Sequence, residues 1–227
     1  MTRPQAPDFS VDTLLGAADN ALRALFAPAA PARHRLDLPE PAPLEAADRR
    51  HVAGLMRVNH AGEISAQALY HGQALLARSA TNRDYLLQAA AEEGDHLAWC
   101  EQRLRELGAH PSLLNPFWYA GAFTIGAAAA AISDKLSLGF LNETERQVEG
   151  HLDSHLQQLP AADQRSRHIL EAMRSDEIRH AESAAARGAA ELPSWTRALK
   201  RASSKVMTRL AYCILVFTKT LQHLGLM

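Results

Sequence analysis

The sequence predicts an all-α protein: a four-helix bundle with a crossover helix between its halves and additional helices at the N- and C-terminal ends. Three observations predict it. Ala and Leu dominate a chain of 227 residues that is 47% hydrophobic and 6% aromatic, and runs of β-branched residues are almost absent. Glu93 and His96 in AAAEEGDHLAWC, and Glu177 and His180 in AMRSDEIRHAES, form two Glu-x-x-His pairs set in apolar helical sequence. A lone Glu precedes each pair at nearly the same distance, Glu63 by 30 residues and Glu145 by 32.

Residues three apart share a helix face, so each pair aims a carboxylate oxygen and an imidazole nitrogen at one point. His51, three after Asp48, is the other acid–His match among the eleven histidines, and it lies in the polar lead-in to a helix. Midway between Glu63 and Glu93 stands Arg78-Ser79-Ala80-Thr81-Asn82, which is turn and N-cap chemistry. Midway between Glu145 and Glu177 stands Leu159-Pro160-Ala161-Ala162-Asp163, a helix stop followed by a restart. In each half a helix therefore runs from the lone Glu to a turn, and a second returns about as far, which brings the lone Glu level with the Glu/His pair. Four carboxylates and two imidazoles on four helices form the ligand set of the carboxylate-bridged di-metal bundles.

A chain of this length buries one good core, so one compact domain with short extensions is expected. Residues 1–43 comprise an amphipathic helix over 9–26, capped by Ser10, and a linker over 27–43 in which five prolines prevent regular structure. Residues 44–192 hold the bundle. Its first helix is expected over 44–78 and its second over 82–107, ended by Gly108 and Pro111. Residues 107–133 form the longest stretch without a formal charge. Its apolar part, 117–132, makes roughly 24 Å of helix against a hydrocarbon core of roughly 30 Å, too short to span a bilayer. A buried crossover helix between the halves is the favoured reading, with contact to lipid the alternative. The third bundle helix is expected over 134–159, with Gly139 a candidate interruption, and the fourth over 162–190, ended by Pro193.

Residues 193–227 read as a basic amphipathic helix belonging to the same domain. No acid follows Glu191, whereas Arg197, Lys200, Arg201, Lys205, Arg209 and Lys219 do, although the whole chain carries only −1. Its apolar run over 210–217 suits a helix lying in a membrane interface. Nucleic acid is disfavoured, because Tyr212 and Phe217 are embedded among aliphatics and do not alternate with basic residues for base stacking. Cys100 and Cys213 suit a reducing compartment, and no secretory signal is read at the start of the chain.

Carboxylate and imidazole donors without thiolates suit iron or manganese. Glu143, Glu145 and Glu149 all compete for the lone position on the third helix, and spacing favours Glu145. His60 and His151 can also face the centre and are read as hydrogen-bonded bundle histidines outside the ligand set. Gly94, inside a ligand helix, costs up to ~1 kcal/mol relative to Ala, which close helix packing would explain.

The stretch from Arg57 to Glu63 (RVNHAGE), Leu69-Tyr70-His71-Gly72-Gln73, the pairs Glu93/His96 and Glu177/His180, and Glu145 together resemble the demethoxyubiquinol hydroxylases of ubiquinone biosynthesis in their bacterial form. The similarity covers roughly residues 44–227. It implies a ferritin-like di-iron monooxygenase that uses O2 to hydroxylate the ring of a prenylated benzoquinol. The resemblance further implies two iron ions held by Glu63, Glu93, His96, Glu145, Glu177 and His180, with Glu93 and Glu177 bridging. It implies a peripheral place on the cytoplasmic face of the cell membrane, with a homo-oligomer or a complex with other ubiquinone-biosynthesis proteins compatible with it. Two readings of other classes compete: a ferritin-like ferroxidase or iron-storage protein, which needs no substrate channel, and a di-iron RNA hydroxylase. A metal-free structural bundle is the bland alternative.

Overall fold

A computed structural model describes residues 10–29 and 35–213, in which there are seven helices and no strand. They are α1 (Val11–Phe26), α2 (Ala46–Leu76), α3 (Ala80–Glu106), α4 (Asn115–Ile132), α5 (Asp134–Gln158), α6 (Gln164–Ala186) and α7 (Ser194–Cys213). The local signals act as expected: the side chains of Ser10, Ser79, Ser133 and Asp163 each accept a backbone N–H at the start of a helix. Helices α2 and α3 form one antiparallel hairpin and α5 and α6 the other, with α4 crossing between them along the outside of α2. Asp134, at the start of α5, closes the α2–α3 turn by accepting from the backbone N–H groups of Arg78 and Ser79 and from the Asn82 side chain.

The core is layered. Val52, Leu55, Met56, Trp99, Leu104, Leu152, Ile169 and Met173 make one apolar cluster, and Leu69, Tyr70, Leu86, Ala90, Leu141 and Ala184 make another further along the bundle. On every bundle helix the Glu or Glu/His pair falls between these two groups, so a polar layer lies sealed between two dry ones. The N-terminal segment packs onto this body: Leu36, Leu38 and Leu44 lie against the first cluster, and α1 sets Ala21, Ala24 and Leu25 against α2, α3 and α4.

Four expectations need correction. Helix α6 stops at Ala186, because Gly188 takes φ +85 and turns the chain so that the Ala190 N–H donates to Lys135 O at 2.9 Å. Gly139 does not interrupt α5; the carbonyl of Ala190 rests against it where a Cβ would clash. Helix α4 is only half buried. Gly72 of α2 and Gly126 of α4 let the two backbones meet, since a Cβ on either would strike the other helix's carbonyl oxygen. The opposite face of α4 leaves Phe117 72%, Ile125 49% and Ile132 67% exposed. Finally, close packing does not explain Gly94, since a Cβ there would meet nothing within 4 Å. Of the apolar run over 210–217, Ile214 to Phe217 lie outside the described residues, as does Lys219.

Candidate metal centre

All six residues singled out from the sequence converge in the sealed layer, and each is at least 96% buried. They form two overlapping groups, each with ligand atoms within 4.8 Å of one another: Glu63, Glu93, His96 and Glu177, and Glu93, Glu145, Glu177 and His180. Glu93 and Glu177 belong to both. His96 Nδ1 lies 3.1 Å from Glu93 Oε2, 3.3 Å from Glu177 Oε1 and 3.5 Å from Glu63 Oε2. His180 Nδ1 lies 3.2 Å from Glu93 Oε1 and 3.9 Å from Glu177 Oε2. Each shared carboxylate thus turns one oxygen toward each imidazole, which is the geometry a bridge between two cations requires.

The donor set fits cations better than it fits itself. Both oxygens of Glu145, Oε2 of Glu63, Oε1 of Glu93, Oε2 of Glu177 and Nδ1 of His180 are buried without a hydrogen-bond partner. Burial pushes the Glu63 carboxyl well above its usual range, and the neighbouring Glu93 charge adds to it. Burial likewise raises Glu145, reinforced by the charge of Glu177. Burial works against charge on Glu93 and on both imidazoles, but mutual attraction wins: Glu93 is held well below the usual carboxylate range, His96 rises well above its own, and His180 rises to about 9. These opposed shifts mark a layer in which positive charge is favoured.

Of the competitors on α5, Glu143 is half-buried and accepts from Gln147, and neither it nor Glu149 joins a group. His60 is buried against Asn115 at 3.4 Å, and His151 packs on His155 with ring centroids 4.0 Å apart, so both stay outside the cluster.

Sequence reasoning missed the carboxylates behind both histidines. The outer nitrogen of His96 meets Asp176 Oδ2 at 3.0 Å, and that of His180 meets Glu92 Oε2 at 2.8 Å. Each carboxylate immediately precedes the Glu of the opposite pair, and Arg179 joins the two from outside at 2.9 and 2.8 Å. With these carboxylates as acceptors, the outer nitrogen of each histidine carries an N–H, and Nδ1 is turned toward the carboxylates of the cluster. The signal was present in the repeat, which is acid-Glu-x-x-His in both halves. Lys200 was also missed: among the basic residues of α7 it turns inward, donating to Phe140 O and Thr144 Oγ1 beside Glu145.

A four-helix bundle with two carboxylates shared between paired Glu/His sets belongs with the ferritin-like bundles, the class that holds two metal ions between helices. Residues 50–211 match the family model described as ubiquinone biosynthesis protein COQ7. Among the proteins similar to the chain are three named 3-demethoxyubiquinol 3-hydroxylase. That of Cupriavidus pinatubonensis is 57% identical over 90% of this chain and 100% of its own length, and that of Chromobacterium violaceum 55% over 89% and 98%. That of Ralstonia pickettii is 62% identical over 75% of this chain and 79% of its own. The chain belongs to the COQ7 family of ubiquinone-biosynthesis hydroxylases.

Proposed function

We propose that the chain hydroxylates the ring of demethoxyubiquinol with O2 at a pair of irons held by Glu63, Glu93, His96, Glu145, Glu177 and His180, working as a peripheral protein on the cytoplasmic face of the cell membrane. The observation that carries this reading is the pair of overlapping groups that share Glu93 and Glu177. Two ferrous ions bound there would supply the reductive activation of O2. Four carboxylates balance the charge of two divalent cations, and the absence of thiolate from the set favours iron or manganese.

The chain's own residues do the rest. Glu93 and Glu177 offer an oxygen to each half of the centre, while Glu63 and Glu145 serve one half each. Asp176 and Glu92 fix the imidazole tautomers, and Arg179 keeps those two carboxylates in place. The apolar clusters on either side exclude water, which strengthens every electrostatic contact within the layer.

The substrate's prenyl tail lies in lipid, and three neighbouring helices present a face suited to it. Among the described residues no helix is long and apolar enough to cross a membrane. Phe117, Ile125 and Ile132 of α4, Leu15, Leu22 and Phe26 of α1, and Leu199, Val206 and Leu210 of α7 are all exposed. These helices gather around α2: Trp118 of α4 packs on the cluster that Val58 and Ala61 of α2 form with Ala211 of α7, and Tyr119 and Phe123 of α4 pack with Ala24 and Leu25 of α1. Exposed Arg201, Lys205 and Arg209 on α7 each contribute roughly 1 kcal/mol at an anionic leaflet before screening. Flotation with anionic phospholipid vesicles tests the surface. Val206→Glu with Leu210→Glu should lose most of the floating fraction and keep hydroxylation of a tail-less quinol. A variant that floats as well as the parent removes α7 from the membrane contact.

A further inference from the structure

Away from the metal layer, positive charge collects where the C-terminal end of α7 meets α2 and α5. A cavity of about 410 Å³ lies there, floored by Leu55 and Val58 and walled by His151, Ser154, Thr208 and Arg209. No acidic side chain borders it among the described residues. Three imidazoles gather on its α5 side. The rings of His151 and His155 have centroids 4.0 Å apart. His51 donates through Nε2 to the Gln158 carbonyl at 3.1 Å and therefore accepts at Nδ1 from the Tyr212 hydroxyl at 2.7 Å. Burial holds the His155 ring down to about 3, and the charges of His151 and His51 push the same way with no carboxylate opposing them. Asp153, between the two imidazoles in sequence, pairs with Arg174 instead.

Two arginines extend this imbalance. Arg57, 1% exposed, donates to His110 O at 2.8 Å and to Tyr212 O at 3.4 Å, its Nη2 has no partner, and no carboxylate offsets its charge. A buried cation without a counter-ion is costly, and its field reaches the cavity that Tyr212 borders. On α7, Arg201, Lys205 and Arg209 recur at four-residue spacing and so form one exposed stripe, which Arg209 ends at the cavity. Arg209 has no ion pair among the described residues, and the chain has no acid after Glu191 to supply one.

A concave recess ringed by uncompensated cations is an anion site. Its donors converge from several sides: the planar guanidinium of Arg209, the hydroxyl of Thr208, and the hydroxyl of Ser154, which accepts from Gln158 Nε2 at 3.0 Å and so keeps its own hydrogen to donate. His151, whose Nε2 is buried without a partner, stands on the inner side. A tetrahedral phosphate meets donors so arranged better than a planar carboxylate does. The uncharged quinol has no use for them.

We propose that this cavity binds a phosphate group, that of a membrane phospholipid headgroup, and thereby seats α7 at a fixed depth in the bilayer surface. Leu55 and Val58 close the floor at 2% and 1% exposure, so the acyl chains have no path inward; Val206 and Leu210, exposed beside Arg209, are the apolar surface they would meet. The lipid source rests on the membrane reading above, whereas the phosphate chemistry does not.

The test titrates the full-length, iron-loaded protein calorimetrically with two soluble probes, dihexanoyl phosphatidylglycerol below its micelle concentration and glycerol 3-phosphate. The lipid should bind, and Arg209→Gln should weaken it by about tenfold, as loss of a charged hydrogen-bond partner does. Lys205→Gln, also exposed and on the same stripe but outside the cavity, should leave the affinity unchanged. Ser154→Trp, at an exposed position, fills the cavity and should abolish binding; if it fails to fold, Thr208→Val should weaken binding in its place. A parent that binds neither probe overturns the site, as do equal losses in Arg209→Gln and Lys205→Gln, which mean diffuse attraction. Glycerol 3-phosphate that binds as tightly as the lipid, with the same dependence on Arg209, overturns the lipid source in favour of a soluble phosphate ester. A parent that binds the soluble lipid through Arg209 but does not float with vesicles defeats the membrane reading and supports the phosphate site. Unchanged lipid binding in Arg209→Gln and in the cavity variant, with flotation intact, defeats this inference alone.

Discussion

Replacing Glu145 with Gln separates a ligand carboxylate from a merely buried one. The substitution keeps the side chain's volume and exchanges one oxygen for an amide nitrogen. In the metal-free protein Glu145 is 1% exposed, neither oxygen has a partner, and burial together with the Glu177 charge favours the neutral acid. Gln is also neutral and leaves the same two positions unsatisfied, so the stability of the metal-free protein should change by no more than about 0.5 kcal/mol. With metal present the outcome differs. Loss of an outer carboxylate typically weakens a metal site by roughly 10–100-fold, so loss of a direct anionic donor should exceed the upper figure, about 2.7 kcal/mol. Glu143→Gln is the control, because its half-buried carboxylate is satisfied by Gln147 and lies outside both groups. Anaerobic titration with ferrous ion, alongside thermal unfolding of metal-free and loaded protein, measures both quantities. Retained affinity in Glu145→Gln with lost affinity in Glu143→Gln would refute the assignment and move the ligand by two positions.

Two further outcomes follow from the charges. His96 and His180 have raised pKa values in the folded metal-free protein, as do Glu63 and Glu145, so each binds protons more tightly folded than unfolded. Stability from such groups is present below the unfolded pKa and is lost as pH rises through the folded one, which for His180 spans 6.5 to about 9. Glu93, held low, contributes at a constant level across that window. The melting temperature of metal-free protein should therefore fall from pH 6.5 to 9, while loaded protein, whose cations replace those protons, should not follow; parallel curves would contradict this. Asp176→Ala frees the outer nitrogen of His96 and should weaken ferrous binding by roughly 10–100-fold, read by the same titration, with helix content unchanged by circular dichroism.

Much of this arrangement was legible in the sequence because its signals are local. Ser10, Ser79 and Asp163 cap the helices they precede, and Pro160 stops α5 where the halfway point demanded a turn. The Glu/His pairs are legible because three-residue spacing fixes a shared face whatever the tertiary structure. What escaped depends on how whole helices sit. The choice of Glu145 over Glu143 and Glu149 did not escape, because spacing from Glu177 favoured it, and Glu145 alone of the three is buried in the cluster. Lys200 read as one more cation of a basic helix until the seating of α7 on α5 turned it inward. The apolar stretch of α4 read as buried, because hydrophobicity does not reveal which face lacks a neighbour; the Gly72–Gly126 contact sets that face. Asp176 and Glu92 were visible as a repeated acid before each Glu, but their role exists only across the bundle, where each meets the other half's histidine.

Metal analysis of anaerobically loaded protein, taken with a product assay on demethoxyubiquinol, tests the central claim most directly. The parent should hold two irons per chain and form the hydroxylated quinol with O2, and Glu177→Ala, which removes a carboxylate common to both groups, should lose iron and turnover while keeping its helix content. Full activity in Glu177→Ala, or in a parent that holds no iron, would contradict the di-iron account.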